Sequence, residues 1–228
     1  MDISSGAFWA ALGSIILANV VLSGDNAVVI AMAARSLPAS QQRKAIFWGS
    51  AAAIVMRIIL TLIAVEMLKW PYLKIVGALL LLYIGISLLS EEVGADDGHH
   101  HIGSLAAAIR TILVADLVMS LDNVLAVAAA AKGNAPLLVI GLAVSIPLII
   151  FGSTLLLKVM NRFPIIITLG AALLGFLAGE MMFTDPAFVA RFGELSQTVI
   201  GVASVAGAAL VVAFGLWLQR RARPSATV

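Results

Sequence analysis

The sequence predicts an all-α membrane protein with seven transmembrane helices, built as two inverted three-helix repeats followed by a C-terminal helix. Three observations predict it. First, the 228 residues are 62% hydrophobic and only 11% charged, with a mean hydropathy of +1.10; a soluble domain carries about 25% charged residues. Second, seven apolar stretches approach or exceed the roughly 20 residues that cross a bilayer. Third, one polar motif occurs twice. Ala18-Asn19-Val20-Val21-Leu22-Ser23-Gly24-Asp25-Asn26 returns as Ala115-Asp116-Leu117-Val118-Met119-Ser120-Leu121-Asp122-Asn123, at a constant offset of 97 residues (Asn19 to Asp116, Asp25 to Asp122).

The predicted spans are 8–34, 44–68, 72–90, 105–131, 136–158, 164–183 and 197–218. Helices are expected because a bilayer offers the backbone no hydrogen bonds from outside the segment. Short connectors such as Arg35-Ser36-Leu37-Pro38 and Lys132-Gly133-Asn134 separate them. The repeat runs past the motif: Arg35 aligns with Lys132, Trp70-Pro71 with Phe163-Pro164, and Gly77-Ala78 with Gly170-Ala171, the offset falling to 93. Spans 1–3 therefore match spans 4–6. Three is odd, so the second copy enters the membrane from the opposite side, and such repeats hold their substrate near the midplane. The domain division is 1–90 for the first repeat, 91–104 for a polar linker, 105–183 for the second repeat, and 184–228 for the seventh helix with a basic tail.

Basic residues orient the chain. With the N-terminus outside, the inner segments hold Arg35, Arg43, Lys44, Lys158, Arg162, Arg220, Arg221 and Arg223. The outer segments hold Lys69, Lys74, Lys132 and Arg191. The excess on one side predicts N-outside and C-cytoplasmic. Trp9, Trp48, Trp70 and Trp217 stand near span ends, as interfacial anchors do. The start lacks a basic n-region, so the first span is read as retained rather than as a cleaved signal. The net charge of +2 gives no reason to expect nucleic acid, and the absence of cysteine excludes disulfides and thiolate ligands. The linker carries Glu91, Glu92, Asp96, Asp97 and His99-His100-His101. It reads either as a solvated linker or as a metal-collecting tract.

The motif carries the chemistry. A carboxylate inside a span costs about 2.5–3.5 kcal/mol on insertion scales, so it reads as part of a site. Asn19, Ser23 and Asn26 fall at i, i+4 and i+7 on one helical stripe, and Asp116, Ser120 and Asn123 repeat it. Asp25 and Asp122 project about 100° round from the neighbouring Asn. Brought together by a two-fold, Asp25, Asn26, Asp122 and Asn123 would surround one volume, with Asn19 and Asp116 about two turns along the path. Carboxylate and amide oxygens without thiolate suit a hard divalent cation such as Mg²⁺, Ca²⁺ or Mn²⁺. Arg57 lies in mid-span and needs a partner among Asp25, Asp116 and Asp122. Glu66 falls near a span end, and Glu180 is a candidate third ligand or proton carrier. Gly175-Phe176-Leu177-Ala178-Gly179 is a GxxxG packing pattern. Met181 and Met182 read as packing, Gly24 as a kink, and Ser23, Ser120 and Asn19 as residues that could also serve only to join helices.

These doubled residues resemble the paired motifs of the TerC family of membrane proteins, and the chain's brevity is similar to its YjbE branch. The resemblance covers spans 1 to 7. It implies a bacterial inner-membrane protein linked to manganese export, with some members associated with tellurite resistance, and kinship with the LysE-type exporter superfamily. It carries Asp25, Asn26, Asp122 and Asn123 over as metal ligands, with Asp116 as an addition. The expected function is export of divalent cations, Mn²⁺ foremost, by alternating access, with proton antiport as the coupling because no nucleotide-binding motif is present. Mn²⁺ would be cargo, with no resident cofactor. The expected partners are the divalent ion and the lipid bilayer, with homo-oligomerisation left open. Two alternatives stand beside it: a membrane partner that supplies metal to exported enzymes without net transport, and an exporter of small organic solutes such as amino acids. A membrane enzyme is not expected, since no HExxH and no Ser/His pairing lies within the spans.

Overall fold

Apolar stretches of this length satisfy their backbones internally, and the described structure is helical throughout. The computed structural model describes residues 6–67, 70–90, 104–131 and 135–222. Its helices are α1 (Gly6–Leu22), α2 (Gly24–Arg35), α3 (Ala39–Met67), α4 (Leu73–Ser90), α5 (Leu105–Ala131), α6 (Ala135–Arg162), α7 (Ile165–Phe183), α8 (Pro186–Phe192) and α9 (Gln197–Ala222). Among the described residues, α3, α4, α6, α7 and α9 are long and apolar enough to cross a membrane. A sixth crossing results if α1 and α2 act as one bent span. The remaining predicted span corresponds to α5, whose 27 residues carry Arg110, Asp116 and Asp122.

The first predicted span is broken. Phe8–Asn19 and Gly24–Arg35 meet at 47°, and the helix is interrupted at Ser23 (φ −113°, ψ 8°). Gly24 is not what forces the break. Its backbone needs no left-handed conformation, and a Cβ there would meet nothing within 4 Å. Ser23 instead turns its hydroxyl away from capping α2 and toward a buried polar cluster described below. Two further differences from the sequence reading concern boundaries. The second span begins earlier, at Ala39. The short helix α8, with Arg191 in its last turn, follows α7. The linker, including His99–His101, lies outside the described residues.

The helices pack in reciprocal pairs. α3 lies on α5, while α6 lies on α1 and α2; α4 and α7 lie on each other. Glycines mark the close approaches. A Cβ at Gly49 of α3 would come within 2.6 Å of Ile112 on α5, and one at Gly141 of α6 would strike Ile15 on α1. Ile15 and Ile112 are themselves repeat partners at the offset of 97. Likewise Gly77 of α4 meets Val118 on α5, and Gly170 of α7 meets Val28 and Met32 on α2. The helices that carry each motif copy are thus met by glycines from the other half. The Gly175–Gly179 pattern of α7 touches α9 backbone to backbone, at Ala203, Ser204 and Gly207.

Buried Ile15, Ile46, Leu81, Ile112, Leu142 and Leu174 fill the interior. The outer faces are as apolar as the core: Phe151 and Tyr83 are each 70% exposed and Val202 66%. Large apolar residues on the outside are what a lipid-facing surface requires and what water would not tolerate. Trp9, Trp48, Trp70 and Trp217 are also exposed.

One buried acid ties the α7 end of the bundle together. Asp185 has no exposed surface. It accepts hydrogen bonds from the backbone N–H of Tyr72 (3.0 Å) and Lys74 (3.0 Å) at the start of α4. It also caps α8 through the N–H of Ala187 (2.7 Å). Free N–H groups at a helix start favour a carboxylate, which Asp185 supplies to two helices at once. Tyr72 takes a positive φ of 67° beside it.

Candidate functional site

The polar residues of the repeated motif divide into two adjacent groups. The first surrounds Arg57, which α3 carries to the centre of the bundle at 1% exposure. A buried guanidinium is tolerable only if its donors are met, and here each of its three nitrogens has an acceptor. Nε donates to Ser120 Oγ at 3.0 Å. Nη1 donates to Asn19 Oδ1 at 2.7 Å and also to Ser23 Oγ. Nη2 donates to Asp116 Oδ1 as a salt bridge. The acceptors are themselves linked within each copy: the Ser23 hydroxyl donates to Asn19 Oδ1 and the Ser120 hydroxyl to Asp116 Oδ2, both at 3.3 Å. Asn19, Ser23, Asp116 and Ser120 are all buried.

The second group lines a cavity of about 130 Å³ beside it. Asp25, Met119, Asn123, Leu177, Glu180 and Met181 form its wall. Met119 and Asn123 are i and i+4 on α5, so they share a face about 60° round from the one that Asp116 and Ser120 turn to Arg57, with Asn123 at the edge nearer to it. Asp25 opens the first turn of α2, where the helix dipole favours a negative group. Its Oδ1 accepts from the Asn26 backbone N–H at 2.8 Å. Glu180 is exposed near the end of α7, so the cavity reaches from the break in the first span to the end of α7 next to α8.

The structure therefore brings Asp25 and Asn123 to one volume, one from each copy of the motif, and adds Glu180. Asn26 lies beside them, 2% exposed, with neither its amide nitrogen nor its amide oxygen partnered. It is not part of the cavity wall. Asp122 falls within α5, but its side chain lies outside the described residues, as does that of Glu66. Asp116 does not line the cavity and serves as an acceptor for Arg57. Among the described residues, no three His, Asp or Glu side chains form a metal-binding group. What the cavity offers a cation is two carboxylates, an amide and two thioethers. Sequence reasoning passed over Met119 as a wall residue; its i, i+4 relation to Asn123 was the available signal. Asp185 before Pro186 carried only the local signal of a helix N-cap; its partners at the start of α4 are backbone groups more than 100 residues away.

An all-helical bundle with an apolar exterior and a doubled polar centre defines a multi-pass integral membrane protein. The family model for the integral membrane protein TerC family matches residues 4–223, and the chain belongs to that family. It is 46% identical over 192 residues to the "Uncharacterized membrane protein YjbE" of Bacillus subtilis (strain 168), covering 82% of this chain and 87% of that protein. It is 27% identical over 182 residues to "Uncharacterized membrane protein YceF" of the same organism, covering 76% and 70% of the two chains. It is 28% identical over 134 residues to the "UPF0053 inner membrane protein YgdQ" of Escherichia coli (strain K12), covering 51% and 56%. No solved structure matches.

Proposed function

We propose that this protein exports divalent metal cations, Mn²⁺ foremost, across the bacterial inner membrane by alternating access. The observation that carries this reading is the shared cavity: Asp25 from the first copy of the motif and Asn123 from the second line one volume, with Glu180 as a further carboxylate. Asp25 and Asp122 would balance one divalent charge, Glu180 would be a third ligand or a proton carrier, and oxygen donors suit a hard or borderline cation. Asn26 and Asp122 complete the proposed ligand set, Asn26 through a buried amide that has no partner. Asp116, the remaining candidate, holds Arg57 in the arrangement described. Arg57 also bears on the organic-solute alternative. Its donors already face Asn19, Ser23, Asp116 and Ser120, so it is not presented to a substrate carboxylate.

The proposed layout is seven crossings in two inverted repeats plus α9, with the N-terminus outside and the C-terminus cytoplasmic. Reciprocal packing supports it. Gly49 receives Ile112 from the other half, and Gly141 receives Ile15, as a two-fold exchange requires. Proton antiport is the proposed coupling: ligand carboxylates must be deprotonated to hold metal and can take protons back as it leaves. The protein is not proposed to be an enzyme.

The test is Mn²⁺ flux in proteoliposomes, with Mg²⁺ and Ca²⁺ as competitors, for the wild type beside Asp25→Asn and Asp122→Asn. Mn²⁺-selective flux lost in both variants is the expected result. Folded protein that binds Mn²⁺ without moving it would favour the metal-supplying partner. Flux unchanged in both variants would refute the site, and flux indifferent to a pH gradient would refute the proton coupling.

A further inference from the structure

The Arg57 cluster has the form of a ligand site whose ligand is covalently attached. Its four oxygen-bearing residues are one pair from each motif copy, Asn19 with Ser23 and Asp116 with Ser120, the second pair 97 residues after the first. One pair comes from the broken first span and the other from α5. Both turn their acceptors to one guanidinium. Arg57 itself has no such counterpart. The packing that places Gly49 opposite Ile112 and Gly141 opposite Ile15 puts α3 and α6 in register at a shift of 92 residues, and that shift carries Arg57 onto Ile149, a buried apolar residue. Residues 135–157 contain no charged side chain at all. The acceptors obey the repeat and the cation does not.

We infer that the two motif copies build a buried site for a single monovalent cation, and that the chain fills this site with its own Arg57. The charge count selects the class of ligand. Among the described residues the cluster holds one hydrogen-bonded carboxylate, Asp116, so one positive charge neutralises it, whereas a divalent ion would leave an uncompensated charge in a dry interior. The planar fork of a guanidinium matches acceptors arriving from two sides, which a lysine ammonium matches less well. Asn19 retains an unpartnered amide nitrogen there, as expected of a residue placed for its oxygen. A tethered cation removes any need to recruit Na⁺ or another monovalent ion to this position, leaving the neighbouring cavity to the transported metal. This inference rests on the proposed transport reading only for its functional consequence; the site itself is defined by the Arg57 contacts.

Arg57→Ala empties the site, and free guanidinium is the probe. Guanidinium at about ten times its dissociation constant should raise the melting temperature of Arg57→Ala in detergent by roughly 3–6 °C, with no such rise in the wild type. It should also restore Mn²⁺ flux, and Arg57→Ala/Asp116→Asn should gain neither. An Arg57→Ala protein as stable and active as wild type, with no response to guanidinium, would overturn the inference. So would a rescue that persists without the Asp116 charge. If Arg57→Ala cannot be obtained folded, Arg57→Lys and Arg57→Gln decide: Lys, keeping the charge, should retain more stability than Gln, and Gln equal to Lys would overturn the proposal. Failure of the transport reading is distinguishable, because absent Mn²⁺ binding in the wild type leaves the melting-temperature result untouched.

Discussion

Asn19 and Asp116, one from each copy of the repeated motif, bind the same guanidinium of Arg57 through its two terminal nitrogens, Nη1 and Nη2. A single buried cation thereby joins the broken first span, α3 and α5. The broken first span and α5, which carry Asp25, Asn26, Asp122 and Asn123, are both fastened by this cation.

Removing one side of the pair should be costly. Asp116→Asn leaves Arg57 buried without a counter-charge, and breaking a buried ion pair costs about 3–5 kcal/mol. Thermal unfolding in detergent should show that loss, and Arg57→Met combined with Asp116→Asn should recover much of it. A single Asp116→Asn variant as stable as wild type would show that the pair carries no structural weight.

Glu180 should matter to cargo but not to folding. It is exposed and lines the cavity. Glu180→Gln should raise the KM for Mn²⁺ by about tenfold, equivalent to roughly 1.4 kcal/mol of binding, with the melting temperature unchanged. An unaltered KM would remove Glu180 from the site.

The two thioethers of the cavity should favour transition metals over alkaline earths, since sulfur is a poor donor for Mg²⁺ and Ca²⁺. Met119→Leu and Met181→Leu conserve volume and remove the sulfur. Each should lower the preference for Mn²⁺ over Ca²⁺ in competition flux, the double variant most of all. Selectivity identical to wild type in the double variant would assign both residues to packing.

Asp185 should be structural. Asp185→Ala strips acceptors from the starts of α4 and α8 and should lower stability by about 2–4 kcal/mol, by loss of a cap and unpaired N–H groups. Flux per folded molecule should persist. A stable variant with abolished flux would reverse that assignment.

The α7–α9 contact should tolerate no added methyl group. A Cβ at Gly207 would land on the Gly175 carbonyl, whereas one at Gly201 meets nothing within 4 Å. Gly207→Ala should cost about 1–3 kcal/mol by overpacking, and Gly201→Ala should be neutral within roughly 0.5 kcal/mol. Equal melting temperatures for the two variants would argue that α9 packs elsewhere.

Much of this was legible beforehand because a bilayer imposes simple rules. Length and apolarity located the helices, and the cost of charge in hydrocarbon singled out Asp25, Asp116, Asp122 and Arg57 as residues needing partners or ligands. Helical period placed Asn19 with Ser23, and Asp116 with Ser120, on common stripes. The same period left two matters open. It did not say which acid answers Arg57, because α3 and α5 meet through residues 59 positions apart. Nor did it separate Met119 as cavity wall from Met119 as core, since both readings require an apolar side chain on the same helix.

By itself, the sequence determined a membrane-embedded helical protein with a duplicated motif of acids and amides, because hydropathy and repetition are properties of the chain read along its length. Only the tertiary structure decided the division of that motif into two neighbouring groups, one around Arg57 and one around the cavity of Asp25, Asn123 and Glu180. It also placed the break at Ser23 and the cap at Asp185. Those features depend on which faces of distant helices meet, and helical periodicity constrains the faces while leaving their partners undetermined.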